Sequence, residues 1–371
     1  MKYYIISGEA SGDLHGSNLM KAIKNQDANA EFRFWGGDLM QEVGGTMVKH
    51  YKDLAFMGFV EVVMNLNTIL KNIKIAKKDI ENYQPDAVIL IDYPGFNLRI
   101  AEFVKSLGIK VYYYISPQIW AWKTGRVHKI KKVVDRMFVI LPFEKDFYKK
   151  YEMDVDFVGH PLLDALDARE FMTENDFRTK YQLNEKPIIA LLPGSRNQEI
   201  KVKLPIMLSV MKYFSDYQFV IAGAPSQPNS FYEALLTTNQ VKIVPNDTYN
   251  LLKHSTAALV TSGTATLETA LIGIPEVVCY KGSRISYEIG KRLIKHIRFI
   301  SLVNLIMDKE VVKELIQNDL NTSSLKTELS KILSEPGRSE MLNNYQKLQT
   351  NLGGVGASER TAKLIIEDLK A

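Results

Sequence analysis

Short apolar runs alternate with longer amphipathic stretches along most of the chain. Tyr3–Ser7, Phe32–Trp35, Ala87–Asp92, Lys110–Ile115, Arg136–Leu141 and Val155–Val158 read as strands. Ala87–Asp92 (AVILID) is nearly all apolar, the pattern of a parallel strand covered on both faces. Helical spacing fills the gaps, as at Leu14–Asn25. A polar stretch, Asp164–Lys186, breaks the series before it restarts at Ile188–Leu192, Phe219–Ala222, Val241–Val244, Ala257–Thr261 and Glu276–Tyr280. The halves share no sequence repeat, yet both keep a βα rhythm. The pattern predicts an α/β protein of two Rossmann-like, doubly wound domains with an interdomain cleft. The expected boundaries are 1–165 and 166–340, with a helical tail over 341–371 returning to the first domain.

Ligands of open α/β sheets bind beyond the carboxyl ends of the strands, and the candidate chemistry falls there. Pro193-Gly194-Ser195-Arg196 follows a strand and opens a helix. Glycine lets the backbone approach an oxyanion, Ser195 is placed to cap the helix, and Arg196 supplies a forked, permanent charge. Ser262-Gly263-Thr264 repeats the arrangement, with Glu268 one turn further on as an acceptor for ribose hydroxyls. An ordinary turn at the first and a Thr264/Glu268 capping box at the second explain each motif singly. Together they fit a nucleoside diphosphate.

In the first half, Gly8-Glu9-Ala10-Ser11-Gly12-Asp13 lacks the third glycine of a dinucleotide loop and carries acids where pyrophosphate would sit. Sugar hydroxyls suit it better, with Glu9, Ser11, Asp13 and His15 as contacts; His15 reads equally as a packed residue. Asp92 ends its strand as a candidate base, or as a loop cap, with Asn97 shortly after. Trp120 and Trp122 share one loop, fit either for packing or for walling a sugar or acyl site.

At 100° per residue, Phe59, Val62, Val63, Leu66, Ile69, Leu70, Ile73 and Ile80 form a core stripe. Val60 and Met64 fall off it, in line with Lys71, Lys74 and Lys78. Such a face suits anionic lipid, although isolated surface apolar residues are common.

Composition narrows the class. Apolar residues at 46% and charged at 24% exclude a disordered chain, and the single Cys279 excludes a disulfide framework and a cysteine-rich zinc site. The net charge of +5 is dispersed, which argues against nucleic acid. No run approaches the roughly 18 apolar residues of a membrane span, and the N-terminus lacks a signal peptide's apolar core. A cytoplasmic protein with at most peripheral lipid contact is expected. No cofactor and no metal is expected, and the oligomeric state is left open.

The motifs Ser7–Asp13, Ser116–Trp122, Leu141-Pro142-Phe143-Glu144, Gly159-His160-Pro161, Leu192–Arg196 and Ser262–Glu268 resemble, in order, those of the lipid-A-disaccharide synthase family. The resemblance implies the GT-B glycosyltransferase fold. It implies transfer of 2,3-diacylglucosamine from its UDP form to the 6-hydroxyl of 2,3-diacylglucosamine 1-phosphate, with inversion, at the cytoplasmic face of the inner membrane. The family pattern I-D-x-P-D-F-N carries a second aspartate favoured as base; here that position is Gly95. Asp92 becomes the first choice, with Asp13 or Glu9 as substitutes. A UDP-N-acetylglucosamine 2-epimerase-like enzyme and a nucleotide-sugar binder without catalysis are the alternatives.

Overall fold

The computed structural model describes residues 1–54, 66–236, 240–282, 287 and 298–371. The chain forms two compact units, Met1–Ala168 with Leu352–Ala371, and Arg169–Asn351. The expected tail over 341–371 is two helices rather than one. Gly337–Asn351 belongs to the second unit and Ala357–Lys370 to the first, joined by a link holding Gly353, Gly354 and Gly356 at positive φ.

The first unit is a seven-stranded parallel sheet of β1 (Lys2–Ser7), β2 (Glu31–Gly36), β3 (Thr46–His50), β4 (Ala87–Ile91), β5 (Lys110–Tyr114), β6 (Arg136–Val139) and β7 (Asp156–Phe157). Their order is β3-β2-β1-β4-β5-β6-β7. The second is a six-stranded sheet of β8 (Ile188–Leu192), β9 (Gln218–Gly223), β10 (Lys242–Pro245), β11 (Ala257–Thr261), β12 (Glu276–Tyr280) and β13 (Lys313–Ile316), in the order β10-β9-β8-β11-β12-β13. Every pairing is parallel, and β1, β4 and β8 are almost wholly buried apolar strands, because helices cover both faces. β3 and β13 escaped the pattern: TMVKH and KELI are too polar to mark strands at sheet edges.

The order in which strands are added reverses once in each sheet, between β1 and β4 and between β8 and β11. Such a switch point leaves a crevice at the carboxyl ends, because the two flanking helices depart to opposite faces. In the first unit, Ala362, Ile365 and Ile366 of the final helix pack with Leu19 and Ile23 in the core on one face of the sheet. On the other face, helix Leu66–Tyr83 buries Ile73, Ala76 and Ile80. Leu70, expected in that stripe, is 46% exposed instead, beside exposed Lys71, Lys74 and Lys78. Val60 and Met64 lie outside the described residues.

Candidate functional site

At the switch point of the second unit, β8 ends in Pro193-Gly194-Ser195-Arg196 and β11 in Ser262-Gly263. Helices Asn197–Leu208 and Thr264–Ile272 start directly after, and neither has a side-chain cap. Two adjacent helix starts therefore keep first-turn amides uncapped, an arrangement suited to anions. The expected Ser195 cap does not form: the N-cap position is Arg196, and the Ser195 carbonyl accepts from Ser226 Oγ at 2.8 Å. Nor does a Thr264/Glu268 capping box form. The glycines are required by geometry, with φ of +118° at Gly194 and +142° at Gly263. A Cβ at Gly194 would meet Glu199 Oε2 at 2.5 Å.

Beneath these turns lies Lys203, 2% exposed, which sequence reading missed. Its ammonium donates to Thr261 Oγ1 and lies 3.5 Å from Glu199 Oε2. Desolvation lowers its pKa, against the opposing pull of Glu199. One buried cation thus ties the end of β11 to the helix that follows β8. Arg196 is exposed, 3.7 Å from Glu199 Oε1. Ser262 Oγ donates to the Ile300 carbonyl at 3.1 Å. Glu268 accepts from Tyr249 Oη at 2.9 Å, and desolvation raises its pKa.

At the switch point of the first unit, the carboxyl ends of β1 and β4 bring Glu9 and Asp92 together. Asp92 and Tyr93 both adopt left-handed backbone, at φ of +42° and +46°. For a bulky residue that conformation costs on the order of 1–3 kcal/mol, a strain that collects at functional sites. Asn97 holds the turn by donating from Nδ2 to the carbonyls of Asp92 at 2.8 Å and Ile91 at 3.2 Å. Tyr113 Oη donates to the same Asp92 carbonyl. Burial, then the Glu9 charge, pushes the Asp92 carboxyl up to about 7, against one backbone N–H from Tyr93. Asp92 lines a cavity of about 200 Å³ with Pro117, Gln118, Lys123 and Arg126.

The other first-unit candidates separate by what they touch. Glu9 accepts from Ser11 Oγ at 2.9 Å at the rim of the β1 turn. Asp13 is committed to local structure: it accepts from the backbone N–H of Gly37 (2.8 Å), Leu39 (3.1 Å) and Met40 (3.1 Å), holding the start of helix Asp38–Val43. Burial pushes His15 down to about 4, so it is neutral at pH 7. His160 is lowered to about 3 and caps helix Pro161–Asp167 through Nδ1, accepting from Leu162 N–H at 3.2 Å. Trp120 packs edge-on against Phe143, centroids 4.9 Å apart; the side chain of Trp122 lies outside the described residues.

Glu144 was also missed as a titrating group. It is 1% exposed and accepts from Leu141 and Ile140 N–H at 2.9 and 3.2 Å. Burial raises it to about 7 in spite of those bonds, and the Asp92 charge adds to the rise. Its position in Leu141-Pro142-Phe143-Glu144 was visible, but its burial came only with the fold.

Twin parallel sheets with ligand-ready switch points define a GT-B architecture. Solved structures share it: a UDP-GlcNAc 2-epimerase from Neisseria meningitidis, bound to UDP-GlcNAc, superposes with a TM-score of 0.70 over 99% of this chain and 100% of that one, at 13% identity. A glycotransferase of kitacinnamycin gives 0.68 at 12% identity over 99% of each chain. Sequence relatives narrow the class. The model of the family described as lipid-A-disaccharide synthetase matches residues 3–366. The lipid-A-disaccharide synthase of Syntrophus aciditrophicus is 39% identical over 99% of this chain and 97% of its own length. That of Coxiella burnetii is 36% identical over 97% and 96%. The chain belongs to the lipid-A-disaccharide synthase family.

Proposed function

We propose that this chain is the inverting hexosyltransferase that joins 2,3-diacylglucosamine, delivered as its UDP form, to the 6-hydroxyl of 2,3-diacylglucosamine 1-phosphate. The observation that carries the reading is the pair of neighbouring uncapped helix starts at the β8/β11 switch point, with Lys203 beneath them. Those amides, with Arg196, bind the UDP diphosphate and stabilise the charge it gains as the sugar–oxygen bond breaks. Asp92 takes the proton of the attacking 6-hydroxyl. Its pKa near 7 matches that task, because a base is most effective when its pKa lies close to the working pH. Glu9 and Ser11 serve sugar hydroxyls, and Asp13 leaves the list of bases because three backbone donors hold it.

Both substrates carry acyl chains, and the exposed face of helix Leu66–Tyr83 offers Leu70, Ile75, Lys71, Lys74 and Lys78 to a membrane. On this reading the contact is peripheral, at the cytoplasmic face; among the described residues no helix is long and apolar enough to cross a bilayer. Changing the three lysines together to glutamate should cut co-sedimentation with anionic vesicles at least 10-fold, by loss of about 1 kcal/mol per lysine. Undiminished binding would remove this face from the proposal.

The deciding experiment supplies the purified protein with both lipid substrates and, separately, with UDP-N-acetylglucosamine alone. Disaccharide 1-phosphate and UDP from the first mixture is the expected result. The manno epimer from the second mixture, without disaccharide from the first, would make the protein an epimerase like its structural neighbours.

A further inference from the structure

Three cations on the strands of the first unit are matched with carboxylates. Arg33 lies 2.6 Å from Asp79, Arg136 lies 2.6 Å from Asp156, and Lys110 lies 3.0 Å from Asp368. Arg126 is different. It is half-buried in the 3-10 turn Thr124–Arg126, and among the described residues no carboxylate comes within ion-pair distance of it. Three positions before it, Lys123 ends helix Ile119–Trp122. Both line the cavity of about 200 Å³ that also presents Asp92. Desolvation, and then the Arg126 charge, lowers the Lys123 pKa, so the two cations are held close at a mutual cost. An anion in the cavity would give Arg126 the counter-charge it lacks among the described residues.

We propose that this hollow is the subsite for the anomeric phosphate of the acceptor, gripped by Arg126 and Lys123, and that the grip turns the 6-hydroxyl toward Asp92. The inference rests on the glycosyl transfer proposed above. In a glucosamine 1-phosphate, C1 and C5 are the two neighbours of the ring oxygen, so the phosphate on C1 and the hydroxymethyl group on C5 flank one edge of the ring. A base for the 6-hydroxyl and a cation for the phosphate must therefore sit within one sugar of each other. Asp92 and Arg126 meet that demand by lining a single cavity. The cavity is smaller than the roughly 300–1,000 Å³ of drug-sized sites, which suits one sugar phosphate with its acyl chains directed elsewhere. The arginine fork matches phosphate oxygens two at a time, fixing orientation as well as charge. The same site would sort the substrates, since the donor's anomeric phosphate is already joined to uridine monophosphate by a phosphoanhydride bond and cannot offer a terminal dianion.

The test compares two acceptors, 2,3-diacylglucosamine with and without its 1-phosphate, in neutral detergent micelles free of phospholipid. The unaltered enzyme should favour the phosphorylated acceptor by at least 10-fold in kcat/KM. Arg126→Gln should raise the KM for that acceptor about 10- to 100-fold, leave the donor KM unchanged and abolish the preference. Lys123→Gln should do the same to a smaller degree. Arg126→Lys, which keeps the charge and loses the fork, should recover part of the preference and so exclude loss through misfolding. Equal use of both acceptors by the unaltered enzyme, or an equal fall on both in Arg126→Gln, overturns the subsite. A preference that emerges only when anionic vesicles are added would assign the cations to bilayer phosphates and also overturns it. If the unaltered enzyme joins neither acceptor to the donor sugar, the proposed transfer itself has failed and takes the subsite with it.

Discussion

Asp92 is the base proposed in the first unit, and its raised pKa makes two effects separable. In the folded chain the carboxyl titrates at about 7, against 3.8 in a solvated chain. Between those values the folded state holds a proton that the unfolded state has released, so this group's contribution to stability falls as pH rises through the window. Asparagine carries no such penalty. Asp92→Asn should therefore lose about 10²- to 10⁴-fold in kcat while UDP affinity stays constant. Its melting temperature should rise relative to the unaltered protein between pH 5 and pH 8. The acid limb of the unaltered enzyme's kcat/KM profile should fall near pH 7. A variant with near-normal turnover would move the base to Glu9 or Glu144. At this scale the sequence was partly legible. A carboxylate at the end of AVILI stood out, because strand ends are readable from apolar runs. The third acid of the cluster, Glu144, did not, because its burial and the two amides it accepts from are products of tertiary packing. Gly95 stands where the family pattern it resembles has an aspartate, with nothing within 4 Å of a Cβ placed there.

Among elements, the turns after β8 and β11 were found from glycine, proline and hydroxyl residues at the ends of apolar runs. Their relation to one another was not, since adjacency of β8 and β11 is a property of the sheet order. Lys203 was hidden for a related reason: seven residues past Arg196, it reads as one more lysine on an amphipathic helix. Only the fold brings its ammonium under Gly194 and onto Thr261. Lys203→Met separates structural from ligand-directed roles. Removing one partner of a buried ion pair destabilises, but Glu199 is 35% exposed and keeps Arg196 at 3.7 Å, so the fall in melting temperature should be small. UDP affinity, by calorimetry, should fall about 10- to 100-fold, because a cation beneath the proposed diphosphate site is gone. Unchanged affinity with lowered stability would reduce Lys203 to a strut between the two elements.

Over the whole molecule, the chain leaves the first unit at Ala168 and comes back at Leu352, so the last 20 residues complete a fold begun by the first 168. A terminal helical segment after the second βα series was legible, but neither its return to the first unit nor its break could be read from the pattern. Residues 337–351 pack on the second unit because Met341, Tyr345 and Leu348 face inward there, and the glycine link then redirects the chain. Asp164 fixes the landing, accepting from the N–H groups of Gly356, Ala357 and Ser358 at 2.6, 3.2 and 2.9 Å. From there Ala362, Ile365 and Ile366 enter the core with Leu19 and Ile23. Ile365 is fully buried, so Ile365→Ala removes packed methyl groups and leaves a cavity worth about 2–5 kcal/mol. The loss should fall on the first unit alone. Urea unfolding followed by hydrogen exchange should show the amides of β1, β4 and β5 losing protection, while those of β8 and β11 keep theirs and UDP still binds with unaltered affinity. Equal loss of protection in both sheets would mean that the two units unfold as one cooperative body, and that the returning helix stabilises the nucleotide site as well as the acceptor site.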